Sequence, residues 1–264
     1  MKEPDERASD LCIRAVRNLQ ARMSLPLPQI ELLCVVTQNP DRRIPHTAAI
    51  VHHALGLAKH CMTFDISQGC AGFTHGMAIV SALMKTHGLQ HALLLTCDPY
   101  SEVVDPTDKN TAFLFGDAAT ASYFCDEGAG YALRDIEFGT LPGSSACLSA
   151  QDSLVMDGRA VLMNAAHHVP ASIEALLARS RLKADDIDTF LLHPGSRRIL
   201  ELLRSLLHLD EARAPFDIEN HGNTVSSSIP LMLAARFPAQ PGTRLVLSGF
   251  GVGFSWASNL IEFS

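Results

Sequence analysis

Ala8, Leu11, Cys12, Ala15, Val16 and Leu19 recur at intervals of three and four, which places them on one face of a helix. Pro26 and Pro28 close that region. The next apolar block, IELLCVVTQ at 30–38, is continuous and short, as expected of a strand buried on both faces. A helix is predicted at about 46–57, a strand at 62–67 and a helix from Cys70 to about His87. Strands follow at 91–97 and at 111–124, the second kinked at Gly116. This alternation predicts an α/β sandwich with largely parallel sheets.

The chain repeats itself. Residues 21–36 (ARMSLPLPQIELLCVV) align with 178–193 (ARSRLKADDIDTFLLH), 93–97 with 245–249, and 115–122 with 250–258. The copies lie roughly 150 residues apart, the mark of an internal duplication. Two halves are expected, 1–127 and 128–264, joined through glycine- and serine-rich loops at 127–155. One element breaks the symmetry. The second copy is preceded by a predicted strand at 131–139, whereas the first begins directly with its helix. The strand implied before residue 5 is missing from the chain.

Composition narrows the function classes. With 47% hydrophobic and 19% charged residues among 264, a large core can form. The net charge is −7 and no basic stripe occurs, which argues against nucleic acid as a partner. Apolar runs are too short to span a membrane, and the N-terminus does not read as a signal peptide. Seven cysteines without framework spacing fit reduced thiols in a cytoplasm. Twelve histidines occur without HExxH or CxxC, so no metal is expected.

The stretch DISQGCAGFTHG puts Cys70 between small residues at a strand-to-helix turn. A helix N-terminus favours the thiolate, the reactive form of cysteine. Alone, such a cysteine is more often a small core hydrophobe. The second copy supplies His193, at the end of a predicted strand, and Asn223, at the helix start that corresponds to the Cys70 helix. Alone, these would be a strand-end histidine and a helix cap. Together, at repeat-related positions around one cleft, they point to a nucleophilic site. His75 falls off the Cys70 face of its helix and is expected to be structural; Phe73 and Phe254 are expected to be core residues.

Five motifs in order, FDISQGCAGF, DPTDKNTAFLFGDAA, MDGR, GNTVSSSIPLML and GFGVGFSWAS, resemble those of β-ketoacyl-acyl-carrier-protein synthase III in the thiolase superfamily. The resemblance runs from about residue 8 to the C-terminus. It implies an α/β, thiolase-like five-layer αβαβα sandwich of two duplicated halves, and a homodimer. It also implies a catalytic set at Cys70, His193 and Asn223, with backbone N–H groups of Cys70 and Val252 as oxyanion donors. Lys109, Ser196 and Arg198 fall where substrate or carrier protein binds in the family. The sequence departs from the family at HPGS (193–196), where His-Gln-Ala-Asn is usual, and at Val252, where a glycine is common. HPG is similar to the plant-type polyketide synthases. In the family, the N-terminal segment not matched here grips the adenine end of coenzyme A. A phosphopantetheine carrier protein is therefore expected as donor beside coenzyme A.

The implied reaction forms an acyl-Cys70 and condenses it, with loss of carbon dioxide, onto a malonyl thioester in fatty-acid or secondary-metabolite synthesis. The thioester itself activates the carbon, so no cofactor is expected. Two alternatives stand beside it: acyl transfer to an O or N acceptor without decarboxylation, and a non-catalytic subunit of a thiolase-fold heterodimer.

Overall fold

The computed structural model describes residues 1–109 and 111–264. In chain order the elements are α1 (Ala8–Arg22), β1 (Leu32–Val36), α2 (Thr47–Leu55), β2 (Met62–Ile66), α3 (Gly72–His87), β3 (His91–Cys97) and β4 (Ala119–Cys125). The second half holds β5 (Tyr131–Thr140), the short hairpin β6 (Leu148–Ala150) and β7 (Leu154–Met156), and α4 (Gly158–Arg179). It continues with β8 (Thr189–Leu192), α5 (Arg197–Leu207), α6 (Ser228–Ala234), β9 (Arg244–Gly251) and β10 (Ser255–Phe263). One sheet has the order β2-β1-β3-β4, the other β5-β10-β9-β8.

The inner strands β1, β3, β8 and β9 are largely apolar and buried because helices cover both of their faces. In β1, Leu33 and Val35 pack with Leu11, Cys12 and Val16 of α1, on the outside. Leu32, Cys34 and Val36 face the other way and meet Phe73, Met77 and Val80 of α3. In β9, Leu245 and Leu247 join that same inner cluster, while Val246 and Phe250 pack with Val169, Ile173 and Leu176 of α4. Alternation with period two thus sorts side chains into three cores. The layers are α1 and α2, the first sheet, α3 and α6, the second sheet, then α4 and α5. This is the αβαβα sandwich that the resemblance implied. The asymmetry expected from the repeat is present as well: β5 pairs antiparallel with β10, whereas β4 has only β3 as a strand neighbour among the described residues.

Two expectations need correction. The sheets are not largely parallel. The pairs β1–β2, β1–β3 and β8–β9 are parallel, but β3–β4, β9–β10 and β5–β10 are antiparallel. Only Val252–Phe254 separate β9 from β10, too few residues for a crossover. The strand read at 111–124 is also shorter, since β4 begins at Ala119. Its apolar start pairs instead with a loop of the other half. Asn223 N–H donates to the Leu114 carbonyl (2.9 Å), and Gly116 N–H donates to the Asn223 carbonyl (3.0 Å). A Cβ on Gly116 would lie 1.9 Å from the His221 carbonyl oxygen, so this crossing admits only glycine.

Candidate active site

Cys70 lies in the turn between β2 and α3, buried at 6% exposure. Its surroundings explain the glycines near it. A Cβ on Gly72 would sit 2.3 Å from Val36 Cγ1, so α3 approaches β1 closely only because that side chain is absent. From the other half, β9 runs hard against the same turn. A Cβ on Gly249 would be 2.8 Å from the Cys70 carbonyl oxygen, and one on Gly251 would be 2.9 Å from Cys70 Cβ and 3.2 Å from Sγ. The second half therefore supplies one wall of the thiol's pocket with bare backbone.

His193 follows β8 directly. Its N–H donates to the Ser248 carbonyl at 2.8 Å, which extends the ladder to β9 and fixes where the side chain leaves the sheet. The ring stands edge-on to Phe250, with centroids 5.6 Å apart. It is buried, and Nδ1 has no hydrogen-bond partner among the described residues. Burial pushes the imidazole down to about 3, so the ring is neutral across the physiological range.

Asn223 is held by the two backbone bonds to residues 114 and 116. Its Oδ1 accepts from Val225 N–H at 2.9 Å. That donor settles the amide orientation and leaves Nδ2 as the group free to donate. Val225 holds φ at 54°, a left-handed conformation that a β-branched residue adopts at a cost. The strain sits two residues from the Asn223 side chain it helps to aim.

All three side chains line one cavity of about 690 Å³. The buried Tyr100, Leu148, Val161 and Phe250 form its inner end. Arg159, Met163, Ser196 and Arg198 stand at the solvent side. Ser196 has a second role: its Oγ accepts from Ile199 N–H at 3.3 Å and caps α5. Val252 follows Gly251, and its side chain packs beside Gly69. Lys109 lies on an exposed turn and does not line the cavity. Phe254 belongs to the core cluster of Cys70, but Phe73 belongs to the inner cluster below α3. His75 turns back on its own helix, Nδ1 lying 2.9 Å from the Ala71 carbonyl.

The expectation of a resting thiolate at Cys70 is corrected. Burial, then the charge of Asp98, push the thiol up. The local backbone N–H pulls the other way and is outweighed. Asp98 was not legible as a site residue. It follows β3, is fully buried, and accepts from Gln38 N–H at 2.6 Å, with Ser226 facing it. Burial raises it to about 6, and the dipoles of Ser226 and Gln38 hold it from going higher. An acid closing an apolar strand was the available signal. Tyr100 and Phe250 carried none, being indistinguishable in sequence from core aromatics.

Known proteins share this architecture. The family model described as 3-oxoacyl-[acyl-carrier-protein] synthase III matches residues 64–141, and its C-terminal companion matches 177–263. β-Ketoacyl-[acyl-carrier-protein] synthase III of Limosilactobacillus reuteri is 32% identical over 98% of this chain and 85% of its own. The Neisseria gonorrhoeae enzyme of the same name is 30% identical, with the same coverage. The solved synthase III from Thermus thermophilus superposes with a TM-score of 0.93 at 28% identity, covering 100% of this chain and 87% of its own. The Pseudomonas aeruginosa PAO1 structure gives 0.91 at 31%, covering 98% and 84%. With the motifs in order, both halves matched and the sandwich superposed, the chain belongs to the 3-oxoacyl-[acyl-carrier-protein] synthase III family of condensing enzymes.

Proposed function

We propose that the chain condenses an acyl group with a malonyl thioester through Cys70. In the first stage the Cys70 sulfur attacks an acyl thioester; the acyl–sulfur bond to the donor breaks, and the thiol proton ends on the departing thiol. Backbone N–H groups of Cys70 and Val252 hold the tetrahedral oxyanion, each such donor worth roughly 3 kcal/mol of barrier. In the second stage a malonyl thioester loses carbon dioxide. Its carbanion attacks the acyl-Cys70 carbonyl, releases the sulfur and leaves a 3-oxoacyl thioester. His193 and Asn223 donate to the enolate oxygen that develops as carbon dioxide departs.

The carrying observation is the convergence of Cys70, His193 and Asn223, from opposite halves, on one cavity. The fixed Asn223 amide and the neutral His193 suit hydrogen-bond donation rather than charge. Arg198 and Arg159, exposed at the mouth, suit the phosphate of a phosphopantetheine arm on a carrier protein, or that of coenzyme A. Lys109 would add charge near a nucleotide, and Ser196 would border the arm. We assign the protein to the cytoplasm as a homodimer. The edge strand β2, with Met62 44% exposed, is where a second copy would add its own sheet.

Intact mass spectrometry with a panel of acyl thioesters tests the first stage. A mass gain in the wild type, absent from Cys70→Ala, is expected. Carbon dioxide release from malonyl thioester tests the second stage and separates condensation from transfer to an O or N acceptor. A label that persists in Cys70→Ala would move the nucleophile elsewhere.

A further inference from the structure

We infer that Ser144 is a positioning residue for the reaction at Cys70: its hydroxyl anchors the turn that carries the Val252 N–H. This rests on the acyl-Cys70 reading above, in which that N–H holds the oxyanion. Three residues, Val252–Phe254, join β9 to β10. The β9 end of the turn is set against the nucleophile, since a Cβ on Gly251 would lie 3.2 Å from Cys70 Sγ. The other end is held from outside the cavity, by the loop that follows β5. Phe254 N–H donates to Ser144 Oγ at 2.5 Å, and the Gly253 carbonyl oxygen lies 2.9 Å from the same hydroxyl. Both polar groups of the peptide one residue beyond Val252 thus converge on a single side chain from a distant part of the sequence.

A serine hydroxyl has one proton, shared here between the Gly253 carbonyl and the Leu141 carbonyl at 2.6 Å, while its oxygen accepts from Phe254 N–H. Leu141 N–H donates to the Phe254 carbonyl at 2.9 Å, so residues 141–144 grip the turn on both sides of Phe254. Pro142, Gly143 and Ser145 are exposed, whereas Ser144 turns inward. Its side chain does not cap the short helical turn Ser145–Cys147 that follows it. It does not line the cavity either, so it reaches the chemistry only through the turn it holds. That turn needs an anchor. Gly253 holds φ at 126°, a conformation open to glycine, and glycine gives the backbone freedom that the hydroxyl removes. Without the hydroxyl, Phe254 N–H and the Gly253 carbonyl lose this partner and the turn loosens. A catalytic group misplaced by about 1 Å costs on the order of a hundredfold in rate.

The test compares two reactions of Cys70 on the full chain, both read by intact mass. One is acyl-enzyme formation with whichever of acetyl-, butyryl- and octanoyl-coenzyme A labels the wild type fastest. The other is alkylation by iodoacetamide, a displacement of iodide that passes through no tetrahedral oxyanion. Ser144→Ala is expected to slow acylation tenfold or more and to leave alkylation within twofold of the wild type. Ser144→Thr keeps a hydroxyl and is expected to acylate within threefold of the wild type. Ser144→Cys keeps the shape with a weaker hydrogen-bonding group; it is expected to slow acylation threefold or more, and it carries the test if Ser144→Ala does not fold. Acylation and alkylation that fall together would give Ser144 a merely structural role and overturn the proposal. So would acylation unchanged in the Ala and Cys variants, or a Thr variant as slow as Ala. A wild type that none of the three thioesters labels overturns the acyl-Cys70 reading, and the proposal with it.

Discussion

His193 ties the candidate site to acid stability, and the size of the effect follows from its burial. The ring falls from its ordinary 6.5 to about 3 in the fold. The unfolded chain therefore binds a proton that the native state refuses, and native stability is lost as pH drops from 6.5 toward 3. At about 1.36 kcal/mol per pH unit the full loss approaches about 5 kcal/mol, and between pH 8 and pH 5 it is about 2 kcal/mol. Asp98 works against it. Its carboxyl is raised to about 6, so its contribution is greatest at low pH and fades as pH rises through 6. The wild type alone would show a muted pH profile. Comparison with His193→Gln, which has a side chain that does not titrate, isolates the histidine because every other group is common to both proteins. Urea unfolding of both at pH 8 and pH 5 should show the wild type losing about 2 kcal/mol more than the variant. An equal loss in both would refute the reasoning: His193 would then be solvated or partnered in solution, and its neutrality in the proposed mechanism would have no basis.

Gly251→Ala should slow acyl-enzyme formation tenfold or more with the fold retained, since the new methyl meets Cys70 Sγ at 3.2 Å; an unchanged rate by intact mass would show that β9 yields. Asn223→Ala should still acquire an acyl group but release carbon dioxide from malonyl thioester about a hundredfold more slowly, the worth of one well-placed donor. Gly116→Ala forces a methyl against the His221 carbonyl, and should lower stability by about 2 kcal/mol or more while slowing condensation, because the same strand of residues holds Asn223.

The layered fold was legible because its strands are buried on both sides and its helices on one, and those two states leave different periods in the sequence. The α1 face read from Ala8, Leu11, Cys12 and Val16 is the face that packs. The alignment of 21–36 with 178–193 put β1 and β8 at matching positions, and β5, read at 131–139, spans 131–140. What misled was local apolarity without context. Residues 111–118 look like a strand because they are largely apolar, yet the N–H groups of Thr111, Ala112 and Leu114 close local turns, while the Leu114 carbonyl and Gly116 N–H bond to Asn223, roughly a hundred residues on, which no local pattern encodes. The members of the candidate site were found by symmetry and resemblance. Their ionisation was not, because burial depends on how β9 and the 98–100 turn close over Cys70. The helix N-terminus at Cys70 was visible, and the loss of water around the sulfur, which outweighs it, was not.

The resting site thus holds a neutral thiol and a neutral imidazole beside a buried acid, and Asp98 is the member that looks misplaced. Near neutral pH it is largely ionised, and its charge opposes the thiolate that chemistry needs. The position makes sense if the carboxylate is there for geometry. It holds Gln38 N–H at 2.6 Å and faces Ser226, three residues beyond Asn223, so one group spans loops from both halves. Asp98→Asn separates geometry from charge, because its carboxamide oxygen still accepts from Gln38. Removing the charge should speed Cys70 alkylation by iodoacetamide at pH 8 several-fold. It should also remove a burden that grows as pH rises from 3.8 through about 6 and reaches about 3 kcal/mol when complete. The variant should therefore gain stability over the wild type between pH 4 and pH 8. A difference between the two proteins that does not change with pH, together with unchanged alkylation, would show that Asp98 carries no charge in the fold. The thiol would then owe its resting state to burial alone.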